Sequence, residues 1–243
     1  MRKGFCAVPA ALALALTLSA CGSEAPPAPA DAGEAREQPD AVPVPVTGPQ
    51  VRVLAFGDSL FAGYNLADGE SYPAVLEAAL RQRGIDARVT NAGVSGDTTQ
   101  AGWQRIGFAL DNLSEPPDLA IVELGGNDLL RGIPPAQTRE NLAAILAALD
   151  ERGIPVLLMG MRAPPNLGAD FVAQFDAIYP ALSQRYDAEL VPFFLEAVYD
   201  QPELIQPDRV HPTAEGVEAL VAATLDEVVA ALPDPDARDG PAD

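Results

Sequence analysis

From residue 51 onwards, short apolar runs alternate with longer stretches in which apolar positions recur every three or four residues. Val51-Arg52-Val53-Leu54-Ala55-Phe56 predicts a strand, Tyr72 to Arg83 a helix ended by Gly84, and Ala87-Arg88-Val89-Thr90-Asn91 a second strand. Thr98 to Leu113 reads as a helix capped by Asp97 or Thr98, and Leu119-Ala120-Ile121-Val122-Glu123-Leu124 as a strand bounded by Gly125-Gly126. A helix from Thr138 to Arg152, a strand over Pro155–Met159, a helix from Asp170 to Tyr186, a short strand Glu189-Leu190-Val191 and a closing helix from Thr213 to Leu232 complete the pattern. Strands joined by helical crossovers pair in parallel and are covered on both faces. The fold class is therefore α/β: a doubly wound, flavodoxin-like three-layer α/β/α sandwich on a five-stranded parallel sheet. Its site is expected at the carboxyl ends of the strands.

The flanks have no such period. Residues 21–49 are rich in Ala, Pro and Glu, as in Ala25-Pro26-Pro27-Ala28-Pro29, and read as an extended tether. Residues 233–243 read as a frayed tail. Between them, residues 50–232 hold no internal repeat and no linker long enough to divide them, so one domain is expected. With 48% apolar residues in 243, the chain has material for a sizeable core.

The first twenty residues are of another kind. Arg2 and Lys3 precede an apolar, Ala/Leu-rich run from Gly4 to Ala20, the layout of a secretory signal peptide. The run ends Leu18-Ser19-Ala20-Cys21, which resembles the lipobox of bacterial lipoproteins. That resemblance implies cleavage before Cys21, thioether lipidation of its sulfur and acylation of the new amine. Ordinary cleavage to a soluble exported protein is the alternative. Gly22 rather than Asp after the cysteine points to the outer membrane, with the domain in the periplasm. Cys6 would leave with the leader and Cys21 would be blocked, so no disulfide is expected.

Charge narrows the function classes. The chain has 35 acidic against 15 basic residues, net −20, and loss of Arg2 and Lys3 leaves 13 basic residues and a net charge of −22. Nucleic acid is excluded as a partner, because phosphate binding needs clustered Lys and Arg. Lys3 is the only lysine and His211 the only histidine, which removes lysine Schiff-base chemistry from the mature protein and any two-histidine metal site. No metal and no cofactor is expected.

Four polar segments stand where the strand ends should be: Phe56-Gly57-Asp58-Ser59-Leu60, Asn91 to Thr98, Leu124-Gly125-Gly126-Asn127-Asp128, and Asp208-Arg209-Val210-His211-Pro212 before the last helix. Together they resemble the four sequence blocks of the GDSL, or SGNH, hydrolase family, across nearly all of residues 51–232. The wording is closest to the bacterial arylesterase and multifunctional acyl thioesterase/lysophospholipase subgroup. The resemblance implies the SGNH hydrolase fold, Ser59 as nucleophile, Ser59, Gly96 and Asn127 as oxyanion-hole donors, and Asp208 with His211 completing a triad. It also implies aryl esters, short to medium acyl esters, lysophospholipids or thioesters as substrates. A monomer is expected, held at the membrane by the lipid on Cys21.

Elementary chemistry is compatible with these roles. A serine hydroxyl needs a base for its proton, and His211 is the one imidazole in the chain. Asp208 stands three residues earlier, within reach of one ring nitrogen by a turn. The Gly96 amide lies just ahead of a helix, where backbone N–H groups are free. Each residue also has a plainer reading: His211 as a cap of the next helix, Asp208, Gly96 and Asn127 as turn formers, Asp58 or Ser59 as a helix cap. Asp97 and Asp128 are expected to brace loops, and Trp103 to lie in the core. A Gly-x-Ser-x-Gly elbow is absent, which argues against an ordinary α/β-hydrolase. A flavin or nucleotide carrier fits poorly, since Asp58 occupies the loop where phosphate would bind. A non-catalytic ligand-binding lipoprotein on the same scaffold is the remaining alternative.

Overall fold

The computed structural model describes residues 45–233. The leader, Cys21, most of the tether and the tail beyond residue 233 lie outside the described residues. Five strands, β1 (Thr47–Gly57), β2 (Ile85–Gly93), β3 (Leu119–Glu123), β4 (Val156–Met159) and β5 (Glu189–Val191), pair in parallel in the order β2-β1-β3-β4-β5. Every residue of β3 and β4 is buried, because both faces of these central strands are covered, whereas the edge strand β2 is largely part-exposed. β1 starts at Thr47, so three residues from the segment read as tether, Thr47, Gly48 and Pro49, belong to a strand.

The helices are α1 (Ser59–Ala62), α2 (Tyr72–Gln82), α3 (Thr99–Asp111), α4 (Gly126–Leu130), α5 (Pro135–Asp150), α6 (Ala169–Asp176), α7 (Ile178–Tyr186) and α8 (Ala214–Ala231). α2 packs on α8, and α3 and α7 each pack on α5, giving a layer on either side of the sheet. The longer helices bury one stripe: Tyr72, Leu76 and Leu80 on α2, and Leu142, Ile145, Leu146 and Leu149 on α5. Two expectations need correction. The helix expected over Asp170–Tyr186 is two helices that meet at Ala177. Trp103 is not core. The inward stripe of α3 is Thr99, Gly102, Ile106 and Leu110, so Trp103 falls about 100° round the helix from Gly102 and is 44% exposed.

The strand order reverses between β1 and β3, where a doubly wound sheet leaves a crevice at its carboxyl edge. One cross-sheet row marks that edge: Gly93, Gly57, Glu123, Met159 and Val191 are mutually in register. The segments that leave this row carry the polar residues of interest.

Candidate active site

Ser59 follows β1 by two residues and opens α1, whose amino end is capped by Asp58: Asp58 Oδ1 accepts from the Leu60 N–H at 3.0 Å. Ser59 is buried, with its hydroxyl 2.8 Å from His211 Nε2. The other ring nitrogen, Nδ1, lies 2.7 Å from Asp208 Oδ2. The loop that presents this pair is closed by its own backbone. Ile205 and Pro212 form an antiparallel bridge, Gln206 N–H donates to the His211 carbonyl at 2.7 Å, and Asp208 Oδ1 accepts from the N–H groups of Val210 and His211. Arg209, at the tip, has φ +63°. Against a burial penalty, the bonds from the His211 ring and from the Val210 and His211 amides hold the Asp208 carboxyl down at about 2, so it is ionised throughout the neutral range. Tyr64 packs on the His211 ring with centroids 4.4 Å apart.

The second and third segments bring donors to the same place. Gly96 has φ +86° and Gly125 φ +120°, conformations that L side chains rarely adopt. A Cβ on Gly125 would also lie 2.2 Å from the Tyr179 hydroxyl, which donates to the Leu124 carbonyl. The turn at Gly125 starts α4 and delivers Asn127, whose Nδ2 donates to Asp58 Oδ2 at 2.9 Å, leaving one amide proton for the cavity that Asn127 lines. The backbone N–H groups of Ser59 and Gly96 meet no acceptor among the described residues. The structure thus brings together Ser59, Gly96, Asn127, Asp208 and His211 around one cavity, drawn from four separate segments, except that Asp208 stands behind the His211 ring rather than on the cavity wall.

Asp97 and Asp128 brace, as expected. Asp97 pairs with Arg105 Nε at 2.5 Å, and Arg105 Nη2 reaches the Gly57 carbonyl at 2.9 Å with its guanidinium over the Phe56 ring. Asp128 is fully buried and accepts from Thr99 N–H at 2.8 Å and from the hydroxyls of Thr99 and Thr138. The sequence reading passed over Arg105, which ties α3 to the end of β1, and Arg131, whose Nη2 donates to the Gly96 carbonyl at 2.7 Å. It also passed over Glu123. Fully buried at the end of β3, Glu123 is pushed well above the usual carboxylate range by burial and then by the neighbouring Asp58 charge.

The cavity is about 1000 Å³, within the range of small-molecule sites. Much of its wall is apolar, including Leu129, Leu130, Phe193, Leu195 and Ile205, with the Ser59 hydroxyl and Asn127 amide among the polar groups. Among the described residues no three His, Cys, Asp or Glu side chains cluster as a metal would need.

Residues 55–219 match the model of the GDSL-like Lipase/Acylhydrolase family. The chain belongs to that family. An arylesterase of Vibrio mimicus is 39% identical over 178 residues, covering 73% of this chain and 88% of the relative. The thioesterase 1/protease 1/lysophospholipase L1 of Escherichia coli K12 is 40% identical, over 67% of this chain and 76% of its own. A crystal structure of AlinE4, an SGNH-hydrolase family esterase, is 66% identical with a TM-score of 0.66, over 77% of this chain and 100% of that one. The chain thus shares the sheet architecture of that family.

Proposed function

We propose that the chain hydrolyses carboxylic esters through an acyl-enzyme on Ser59. The observation that carries this is the continuous line Ser59 Oγ, His211 Nε2, His211 Nδ1, Asp208 Oδ2, with contacts of 2.8 and 2.7 Å, opening on an apolar cavity. The Ser59 hydroxyl attacks the ester carbonyl while its proton passes to His211 Nε2, and Asp208 stabilises the resulting imidazolium. The carbonyl oxygen becomes negative and is received by the N–H groups of Ser59 and Gly96 and by the free proton of the Asn127 amide. As the tetrahedral intermediate collapses, the His211 proton goes to the departing alcohol. Water then repeats the sequence on the acyl-enzyme and frees the acid. A non-catalytic binder would have no use for this line, and labelling by a fluorophosphonate separates the two readings: covalent label on Ser59 supports the enzyme, and no label on folded protein refutes it.

The proposed substrate class is supported by the cavity and by relatives that are an arylesterase and a thioesterase/lysophospholipase. Apolar walls suit an aryl or acyl group, while a net charge of −20 opposes a highly anionic thioester such as an acyl-CoA. Neutral or zwitterionic esters are the expected substrates, and turnover of p-nitrophenyl esters of rising chain length reads the acyl preference directly.

Asn127→Ala is expected to lower kcat by roughly 10²- to 10³-fold with little change in KM, because its donor acts mainly once charge has developed on the oxygen. Steady-state kinetics on a soluble ester check this. A large KM effect with kcat preserved would reduce Asn127 to a ground-state contact.

We further propose that Cys21 carries a lipid anchor, supported by the Leu18-Ser19-Ala20-Cys21 sequence. Wild-type protein made in a lipoprotein-processing bacterium should incorporate a palmitate analogue and partition with membranes, each buried methylene adding about 0.8 kcal/mol. Cys21→Ser should do neither. Absence of label on the wild type removes the anchor.

A further inference from the structure

We propose that Glu123 is a positioning residue for the oxyanion donors, acting through the Asp58 carboxylate that grips Asn127. The proposal rests on the ester-hydrolysis reading and concerns a side chain that the acyl-transfer steps do not use. Glu123 ends β3 in register with Gly57, the residue before Asp58, and lies wholly inside the protein. Its Oε2 takes the Asp58 N–H at a long 3.5 Å, and its Oε1 has no hydrogen-bond partner among the described residues. Asp58 is buried beside it, and its two oxygens accept from Leu60 N–H at 3.0 Å and from Asn127 Nδ2 at 2.9 Å. A line therefore runs from Glu123 through Asp58 to Asn127 and ends at the cavity.

An acid this deep with one oxygen unpaired is normally avoided, because burying a polar group without a partner costs free energy. Two carboxyls so close in a buried place do not both ionise. Burial raises both, but Asp58 has two short donors and Glu123 only one long contact, so the negative charge sits on Asp58 and the proton on Glu123. As a neutral acid, Glu123 leaves one negative charge beneath the site. That charge holds one proton of the Asn127 amide and turns the other towards the reacting oxygen. A second negative charge here would oppose the oxyanion. An apolar side chain would strip the Asp58 N–H of its acceptor and free the carboxylate, and with it the amide, to turn.

The test is kinetics on a soluble p-nitrophenyl ester with Glu123→Gln, Glu123→Met, Asn127→Ala and the Glu123→Met/Asn127→Ala double variant. Glu123→Gln, neutral and of the same shape, should keep kcat within about threefold. Glu123→Met, apolar and of similar volume, should lower kcat on the order of 10-fold with KM nearly unchanged, a fraction of the loss from deleting a donor. In the Asn127→Ala background the same substitution should cost less than about twofold, since the group it positions is gone. The proposal is overturned if the Glu123→Met loss carries over in full to the Asn127→Ala background, or if folded Glu123→Met turns over like wild type. Should Glu123→Met fail to fold, Glu123→Gln decides: retained kcat supports the neutral-acid role, and a loss of about 10-fold or more overturns it. If Asn127→Ala itself leaves kcat unchanged, the oxyanion assignment has failed, which is a different result from failure of the Glu123 role.

Discussion

Ser59→Ala is expected to give a folded protein whose kcat is lower by roughly 10⁴-fold or more, as loss of the nucleophile does in other triads. The fold should tolerate the change because the hydroxyl meets one protein partner, His211 Nε2, which can turn to water in the cavity it lines. The amino end of α1 is capped by Asp58, not by Ser59, so the helix keeps its cap. At this size the effect is about 5 kcal/mol in activation free energy, too large for a repositioned substrate. Circular dichroism and thermal melting verify the fold, and single-turnover kinetics verify the chemical step. Near-wild-type turnover in a folded Ser59→Ala protein defeats the acyl-enzyme mechanism.

His211→Ala is expected to lower kcat/KM by a similar factor, on the order of 10⁴-fold, because the chain has no other imidazole to take the serine proton. Asp208, held down at about 2, stays ionised until the medium is strongly acid. The depressed pKa also means that the stabilising bond from Asp208 to the His211 ring is present above the usual aspartate range and is lost as pH falls towards 2. Because Asp208 is part-exposed, the stability effect is small beside the kinetic one. Steady-state kinetics of wild type and variant decide the matter. Near-wild-type kcat/KM in a folded His211→Ala protein would make another group the base.

The parts of the site that were legible in the sequence are those whose chemistry travels in short segments. Ser59, Gly96, Asn127 and the Asp208–His211 pair each sit in a turn right after a strand or right before a helix, and the topology rule selects those turns without knowledge of any contact. The plainer readings of some residues also hold, since Asp58 does cap α1 and Gly96 does turn with a positive φ. What escaped depends on partners far away in the chain. Glu123 reads as one polar position ending a strand, and only the register of β1 with β3 sets it behind Asp58. Arg105 reads as an ordinary helix residue until α3 is laid against the end of β1. Trp103 and Ala177 failed for another reason: a helical period fixes the spacing of an inward stripe but not its phase, and it continues smoothly across a break between two helices.

The closed loop that carries Asp208 and His211 has a mechanical consequence. Its acid and base are three residues apart and are locked together by bonds within the same few residues, so the loop carries them as one rigid tooth. The serine is rooted in a different part of the sheet. Any shift of the loop therefore changes the gap between Ser59 and His211 while leaving the spacing of Asp208 and His211 untouched. Gln206 is the hinge pin of this arrangement, since its amide ties the loop both to the Tyr64 carbonyl on the serine side and to the Pro212 carbonyl on its own. For anyone redesigning the enzyme, the gear to adjust is the seat of that tooth, and the tooth can be left as it is.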